Sequence, residues 1–224
     1  MKIKVIVFDL DDTLYDEITF VRSGFRAVSE YFLPQSPHAM FAKMIEILED
    51  AGRGTVFDKT LAAFGLRTKN NIKKALSIYR SHIPDIKLNE DAKEMLEHYK
   101  NQNIPLYIVT DGNKIVQANK IKALGLQNQV KKAFITHRYG KIHAKPSPYC
   151  FVKIAQLEEV EPHEIVYIAD NSNKDFVEIK KLGFHTVRIR QGMFQDVQKS
   201  QEFEAHEEIK SLFTLKNILK SESL

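Results

Sequence analysis

Residues 3–14 read IKVIVFDLDDTL, a short β-branched run that ends in three acids within four positions, Asp9, Asp11 and Asp12. An uninterrupted apolar run of this length reads as a parallel strand buried on both faces, with the function carried at its carboxyl end. Four more segments repeat the form: Pro105–Thr110 (PLYIVT), Lys132–Thr136 (KAFIT), Glu164–Asp170 (EIVYIAD) and Phe184–Ile189 (FHTVRI). Helically spaced stretches lie between them, at Ile115–Leu124 before Gly125, Pro148–Leu157, and Lys174–Leu182 before Gly183. Strands that alternate with helices predict an α/β fold, a parallel sheet covered on both faces with its ligand at the strand carboxyl ends. The alternation predicts the first strand over Lys2–Leu10. Residues 195–207 read as a polar loop and Thr214–Leu219 as a short closing helix.

Residues 16–89 break the alternation. They show helical patterns over Ile18–Phe32, Pro37–Glu49, Val56–Phe64 and Asn71–Ser81, separated by Pro34, by Gly52 and Gly54, and by Gly65. The pattern predicts a small helical domain over 16–89, inserted after the first strand into a core formed by 1–15 and 90–224. A helix over Glu90–Tyr99, N-capped by Asn89, returns the chain to the sheet.

The chain has 224 residues, 43% hydrophobic and 28% charged, enough for one α/β core plus a smaller appendage. Its formal charge of +4 is spread among acids, which argues against a nucleic-acid groove but favours a small anionic substrate. A single cysteine, Cys150, excludes an internal disulfide framework; it reads as a buried structural thiol and suits a reducing cytoplasm. No apolar run reaches the ~20 residues of a membrane helix. The expectation is a cytoplasmic monomer or homodimer without membrane partners.

A strand that delivers Asp9 to its end, followed by a turn that brings Asp11 beside it, can divide the work of phosphoryl transfer. One carboxylate attacks phosphorus; the other donates and later accepts a proton. Clustered carboxylates repel, and magnesium, a hard ion bound by oxygen, relieves them and neutralises phosphate. The competing reading of this segment alone is an Asp-rich turn. Thr110 with Asp111, Gly112 and Asn113 suits a phosphate oxygen at a helix N-terminus, or equally an N-cap. Lys145, held before Pro146-Ser147-Pro148, can aim its ammonium at a phosphate, or is equally a solvated lysine. Asp170 and Asp175 suit one direct and one outer contact to a metal, or an N-cap and a surface acid.

Taken in order, FDLDDTL, IVTDGN, Lys145 in KPSPYCF, and ADNSNKD resemble the four motifs of the haloacid dehalogenase superfamily of phosphohydrolases, across nearly the whole chain. The resemblance implies an α/β, Rossmann-like catalytic core with an aspartyl-phosphate on Asp9, Asp11 as general acid/base, and Thr110 and Lys145 holding the phosphoryl group. It also implies Mg2+ bound through the Asp9 side chain, the Asp11 carbonyl and Asp170, with Asp175 in support. Ala169 departs from the Gly usual before the fourth motif's first acid. Asp11, absent from true dehalogenases, favours phosphate over carbon–halogen chemistry. The inserted helices look like the family's mobile cap, with Arg22, Arg26 and Arg53 as candidate substrate contacts or plain solvated arginines. Tyr15 is open between lining the pocket and packing, and His137 and His143 read as loop residues. The leading expectation is a phosphatase of a small phosphorylated metabolite, a nucleotide or sugar phosphate. A phosphomutase is the alternative within the superfamily, and a non-catalytic phosphometabolite-binding module the alternative outside enzymes.

Overall fold

A computed structural model describes residues 3–221. Six strands form one parallel sheet: β1 (Val5–Phe8), β2 (Leu106–Thr110), β3 (Lys132–Ile135), β4 (Ile165–Ala169), β5 (His185–Ile189) and β6 (Glu207–Ile209), in the order β3-β2-β1-β4-β5-β6. β1 lies between β2 and β4, with Phe8 in register with Ile108 on one side and Ile168 on the other. Side chains alternate across a strand. Val5, Val7, Tyr107, Val109, Ile165 and Tyr167 therefore share one core with Phe151, Ile154 and Phe184. Ile6, Phe8, Ile108 and Ile168 point the other way and are also buried. Both faces are covered, which is why these strands read as continuous apolar runs.

The chain divides into two compact units, one comprising the residues up to Glu17 and from Lys87 onward, the other Ile18–Ile86. In the sheet unit, α5 (Glu90–Asn101), α6 (Lys114–Ala123), α7 (Tyr149–Glu158), α8 (Val177–Lys181) and α9 (Leu215–Ser221) follow or connect the strands. The helical unit holds α2 (Pro37–Ala51), α3 (Val56–Ala63) and α4 (Lys69–Ser81), together with α1 (Glu17–Phe32), whose first residue ends the sheet unit's leading segment. Its core is apolar: Val21, Phe25, Val28, Met40, Met44, Ile47, Val56 and Leu61. α4 starts earlier than the apolar spacing predicts because Thr68 accepts a hydrogen bond from Asn71 N at 3.0 Å and caps it. A Cβ on Gly24 would lie 2.4 Å from the Tyr79 ring, so glycine is required for α1 to pass that ring. None of the helices among the described residues is long and apolar enough to cross a membrane.

Four local expectations need correction. Glu207, placed in a polar loop, begins β6, which pairs with β5 through Val187 and Glu207; one apolar residue in three is too little pattern to read as a strand. The helix expected from Lys174 starts only at Val177, because Lys174 N and Asp175 N both donate to Asn171 O in a tight turn. Asn89 occupies the N-cap position of α5 without a capping side-chain bond; its amide donates to Asp16 Oδ1 at 3.3 Å instead. The closing helix starts at Leu215, after a 3-10 turn over Leu212–Thr214. Lys2, with which the expected first strand begins, and the core's outer residues 1–2 and 222–224 lie outside the described residues.

Candidate active site

The carboxyl ends of β1, β2 and β4 converge on a cavity of about 310 Å³ lined by Asp9, Asp11, Thr110, Gly112, Asp170 and Lys174 among others. Asp9 leaves β1 directly after Phe8, and its N–H donates to Ile168 O at 2.9 Å, which fixes it beside the end of β4. The turn that follows is built by Asp12. This residue adopts a left-handed φ of 50°, which Asp tolerates, and its carboxylate accepts from Glu17 N at 2.8 Å and Met193 N at 3.2 Å. Asp12 is thus the turn acid of the three. The close approach of Gly192, where a Cβ would fall 2.2 Å from the Asp12 carboxyl carbon, locks the loop after β5 onto that turn.

Lys145 is buried, and its Nζ stands 2.9 Å from Asp9 Oδ1 and 2.7 Å from Asp175 Oδ1. The contact with Asp9 is an ion pair outside hydrogen-bond alignment, since Asp9 Oδ1 accepts no hydrogen bond. Nζ donates instead to Tyr167 Oη at 2.9 Å. Burial works against the ammonium charge, but Asp175 and Asp9 outweigh it and raise Lys145 well above its ordinary value. Burial, with Asp175 nearby, pushes Asp9 up to about 6 against the pull of Lys145. Burial, Asp9 and Asp175 push Asp170 up to about 9.

Asp9, Asp170 and Asp175 each present an oxygen within 4.8 Å of the others. This all-oxygen set fits a hard divalent cation, and the raised Asp9 and Asp170 are carboxylates that such a cation would hold charged. Asp175 is the most committed of the three, because Oδ1 meets Lys145 and Oδ2 accepts from Asn171 N at 3.1 Å.

Asp11 sits in a different environment. Tyr15 Oη, Lys120 Nζ and Gln117 Nε2 donate to its carboxylate at 2.5, 2.6 and 2.8 Å. Burial works to raise Asp11, yet Lys120 and the other donors hold it below its ordinary value. Gln117 Nε2 also donates to Thr110 Oγ1 at 2.6 Å.

The remaining expected residues divide. Gly112 lines the cavity with a φ of +133°. Asn113, expected among substrate-binding groups, spends its side-chain oxygen capping α6 through Ile115 N at 2.9 Å. Asp111 also lines the cavity, but its carboxylate serves as a strut. It accepts from Thr136 Oγ1 at 2.7 Å, Lys145 N at 3.1 Å and Lys174 Nζ at 3.0 Å, tying the β2, β3 and β4 ends together. Although burial opposes it, Lys145 and Lys174 hold Asp111 below its ordinary value. Arg22, Arg26 and Arg53 are exposed in the helical unit, where Arg26 lies 3.9 Å from Asp85 and over the Phe41 ring. His137 lines the cavity, while His143 stacks on Tyr149 at 3.8 Å. Cys150 is buried, and burial pushes its thiol up to about 11, so it is no nucleophile.

Sequence reasoning missed Gln117, Lys120, Lys174, Tyr167 and Arg188. Arg188, fully buried on β5, donates to Asp170 O at 3.2 Å and pins the following segment through Glu204, Phe194 O and Val197 O. An arginine inside a buried-strand pattern was its available signal. Gln117 and Lys120 share one face of α6 at i, i+3 spacing, but nothing local says that this face meets Asp11.

The sequence pattern of the haloacid dehalogenase-like hydrolases matches residues 3–183. The chain is 28% identical over 206 residues to the glyceraldehyde 3-phosphate phosphatase of Methanopyrus kandleri, covering 88% of each chain. It is 29% identical over 216 residues to the enzyme of that name from Methanocaldococcus jannaschii, covering 89% of this chain and 90% of the relative. The magnesium-bound HAD-hydrolase YfnB from Bacillus subtilis superimposes with a TM-score of 0.71 at 19% identity, over 98% of this chain and 99% of that one. With its sheet order, its strand-end acids and a family pattern that runs from β1 past β4, this chain belongs to the haloacid dehalogenase-like hydrolases.

Proposed function

We propose that the protein is a magnesium-dependent phosphatase of small phosphorylated metabolites, of the triose or sugar phosphate class, acting through an aspartyl-phosphate on Asp9. The observation that carries this reading is Asp9, on the wall of a cavity of about 310 Å³, with the buried Lys145 ammonium 2.9 Å from its Oδ1. A nucleophilic carboxylate and a fixed cation share one place, which is what a phosphate ester needs. The phosphatase names of the Methanopyrus kandleri and Methanocaldococcus jannaschii relatives support the substrate class.

In this reading Asp9 forms a bond to phosphorus while the bond from phosphorus to the leaving oxygen breaks. Asp11 gives that oxygen its proton. Water then attacks phosphorus, its proton passes to Asp11, and the bond to Asp9 breaks, which releases phosphate and restores both carboxyls. The resting partners of Asp11 are those of the base form; the first half requires that it take up a proton. Thr110 and Lys145 hold the phosphoryl oxygens. Asp9 and Asp170 would hold a magnesium ion with Asp175 behind them, and the ion would supply charge neutralisation to the phosphoryl group.

Phosphate release from glyceraldehyde 3-phosphate and a panel of sugar phosphates and nucleotides, with magnesium and with chelator, tests the proposal. Asp9→Asn is expected to lose at least about a thousandfold in kcat, as a nucleophile should. Release by Asp9→Asn at the wild-type rate, or by wild type in chelator, would sink it. An isomerised phosphate ester in place of free phosphate would favour the mutase. Tight binding without turnover would favour the binding module.

A further inference from the structure

The Asp11 carboxylate carries more partners than proton transfer alone requires. Tyr15 and Lys120 both donate to Oδ1, and Gln117 donates to Oδ2. A carboxylate has about four lone-pair positions, so three donors leave one. Tyr15, Gln117 and Lys120 are each at most 2% exposed, whereas Asp11 lines the cavity. The remaining position is therefore the one open to the cavity. Gln117 bonds Thr110 Oγ1 with the same amide nitrogen, which sets Asp11 against the hydroxyl that faces the phosphoryl group in the reading above. The ammonium of Lys120 also lies 3.5 Å from Glu17 Oε1 and 5.8 Å from the centre of the Tyr15 ring. A buried lysine on α6 is costly unless it is paired, and its closest partner is Asp11.

We propose that Lys120, Gln117 and Tyr15 are positioning residues for the hydrolytic half of the reaction. They hold the Asp11 carboxylate with its single free acceptor position toward the cavity, where it takes the proton of the water that attacks the aspartyl-phosphate. The inference rests on the reading of Asp9 as nucleophile and Asp11 as base. In that step the water oxygen bonds to phosphorus, the bond from phosphorus to the Asp9 oxygen breaks with its electron pair returning to the carboxylate, and the water proton goes to Asp11. The preceding step depends far less on Asp11 when the leaving group is an aryl oxide that departs without a proton.

Stopped-flow turnover of p-nitrophenyl phosphate by the full chain with magnesium separates the two halves. Lys120→Met, Gln117→Met and Tyr15→Phe are expected to release about one equivalent of p-nitrophenol rapidly and then to turn over slowly. The steady rate should fall about tenfold or more for Lys120→Met, the scale of one lost charge-assisted hydrogen bond, and less for the other two. KM should fall in parallel, so that kcat/KM changes much less than kcat. In an Asp11→Asn background the same replacements should add no further loss, because they act through that one group. Equal falls in kcat and kcat/KM at constant KM, or full additivity with Asp11→Asn, would overturn the inference and leave a purely structural role. Should Lys120→Met fail to fold, Gln117→Met and Tyr15→Phe carry the same test. A wild type that forms no aspartyl-phosphate, with Asp9→Asn still active, would overturn the underlying reading and the clamp with it. A wild type that forms it, with variants showing no split between the halves, overturns the clamp alone.

Discussion

The two units bury different things. Among the described residues the helical unit buries three polar side chains, Ser23, Ser29 and Thr60, and no charge. The sheet unit buries Asp9, Asp12, Lys120, Lys145, Asp170, Asp175 and Arg188, most of them around the strand ends. Charges taken out of water cost several kcal/mol each unless they are paired, so their concentration in one unit marks where stability yields to chemistry. The helical unit solves only a packing problem: apolar faces meet, and its ion pairs, such as Lys43 with Glu46, stay at the surface.

The contrast is sharpest at Lys145. Lys145→Met leaves Asp9 and Asp175 buried without their ammonium, and it is expected to lower stability by about 3–5 kcal/mol in chemical denaturation at neutral pH with chelator. A loss below about 1 kcal/mol would break the contrast, because the pair would then be no different from a surface one.

In the helical unit the vulnerable feature is steric. Gly24→Ala drives a methyl into the Tyr79 ring, which is packed against Phe20, Phe25 and Phe57. Overpacking of this kind should cost about 1–3 kcal/mol. An unchanged denaturation midpoint would show that the α1–α4 contact is looser than the distance implies.

The strand-end acids predict an unusual pH dependence. Asp9, near 6, and Asp170, near 9, are raised in the folded state. Between the ordinary carboxylate value and these values the folded protein binds more protons than the unfolded one, so stability falls as pH rises. Asp11 and Asp111 are lowered and act oppositely, but their contribution is lost only below the ordinary carboxylate range. In chelator, the thermal midpoint should therefore rise by a few degrees from pH 8.5 to pH 6, and Asp170→Asn should flatten the slope. Saturating magnesium should flatten it as well. A midpoint that rises with pH in chelator would contradict the electrostatics described for this cluster.

The smallest effect belongs to the surface. Lys43→Ala removes an exposed pair three residues apart on α2 and should change stability by less than about 0.5 kcal/mol in the same denaturation assay. A larger loss would mean that the helical unit also depends on charge.

Much of the sheet unit was legible because its physics is local. Val5–Phe8 and Ile165–Ala169 are buried on both faces, so their apolar runs announced strands. Asp9, Thr110 and Asp170 stand at or one residue beyond the ends of β1, β2 and β4, so a parallel sheet had to bring them to one edge. β6 was hidden because three residues with a single buried side chain carry no period. Asn113 and Asp111 stayed ambiguous in the sequence for a related reason: the same residue types that hold ligands also cap helices and brace loops, and only their partners in the fold tell these roles apart.

From the sequence alone came the α/β class, the helical insertion and the order of the chemistry-bearing residues, since periodicity and strand-end placement depend on neighbours along the chain. Only the tertiary structure decided what each buried charge faces. Asp9 and Asp11 are two residues apart in sequence, yet one is pushed up by burial and by Asp175 against the pull of Lys145, and the other, though burial opposes it, is held down by Lys120 and Gln117, 109 and 106 residues away. A carboxylate's protonation and aim are set by the dielectric and the donors within a few ångströms of it. Those donors are assembled by folding, not by sequence proximity.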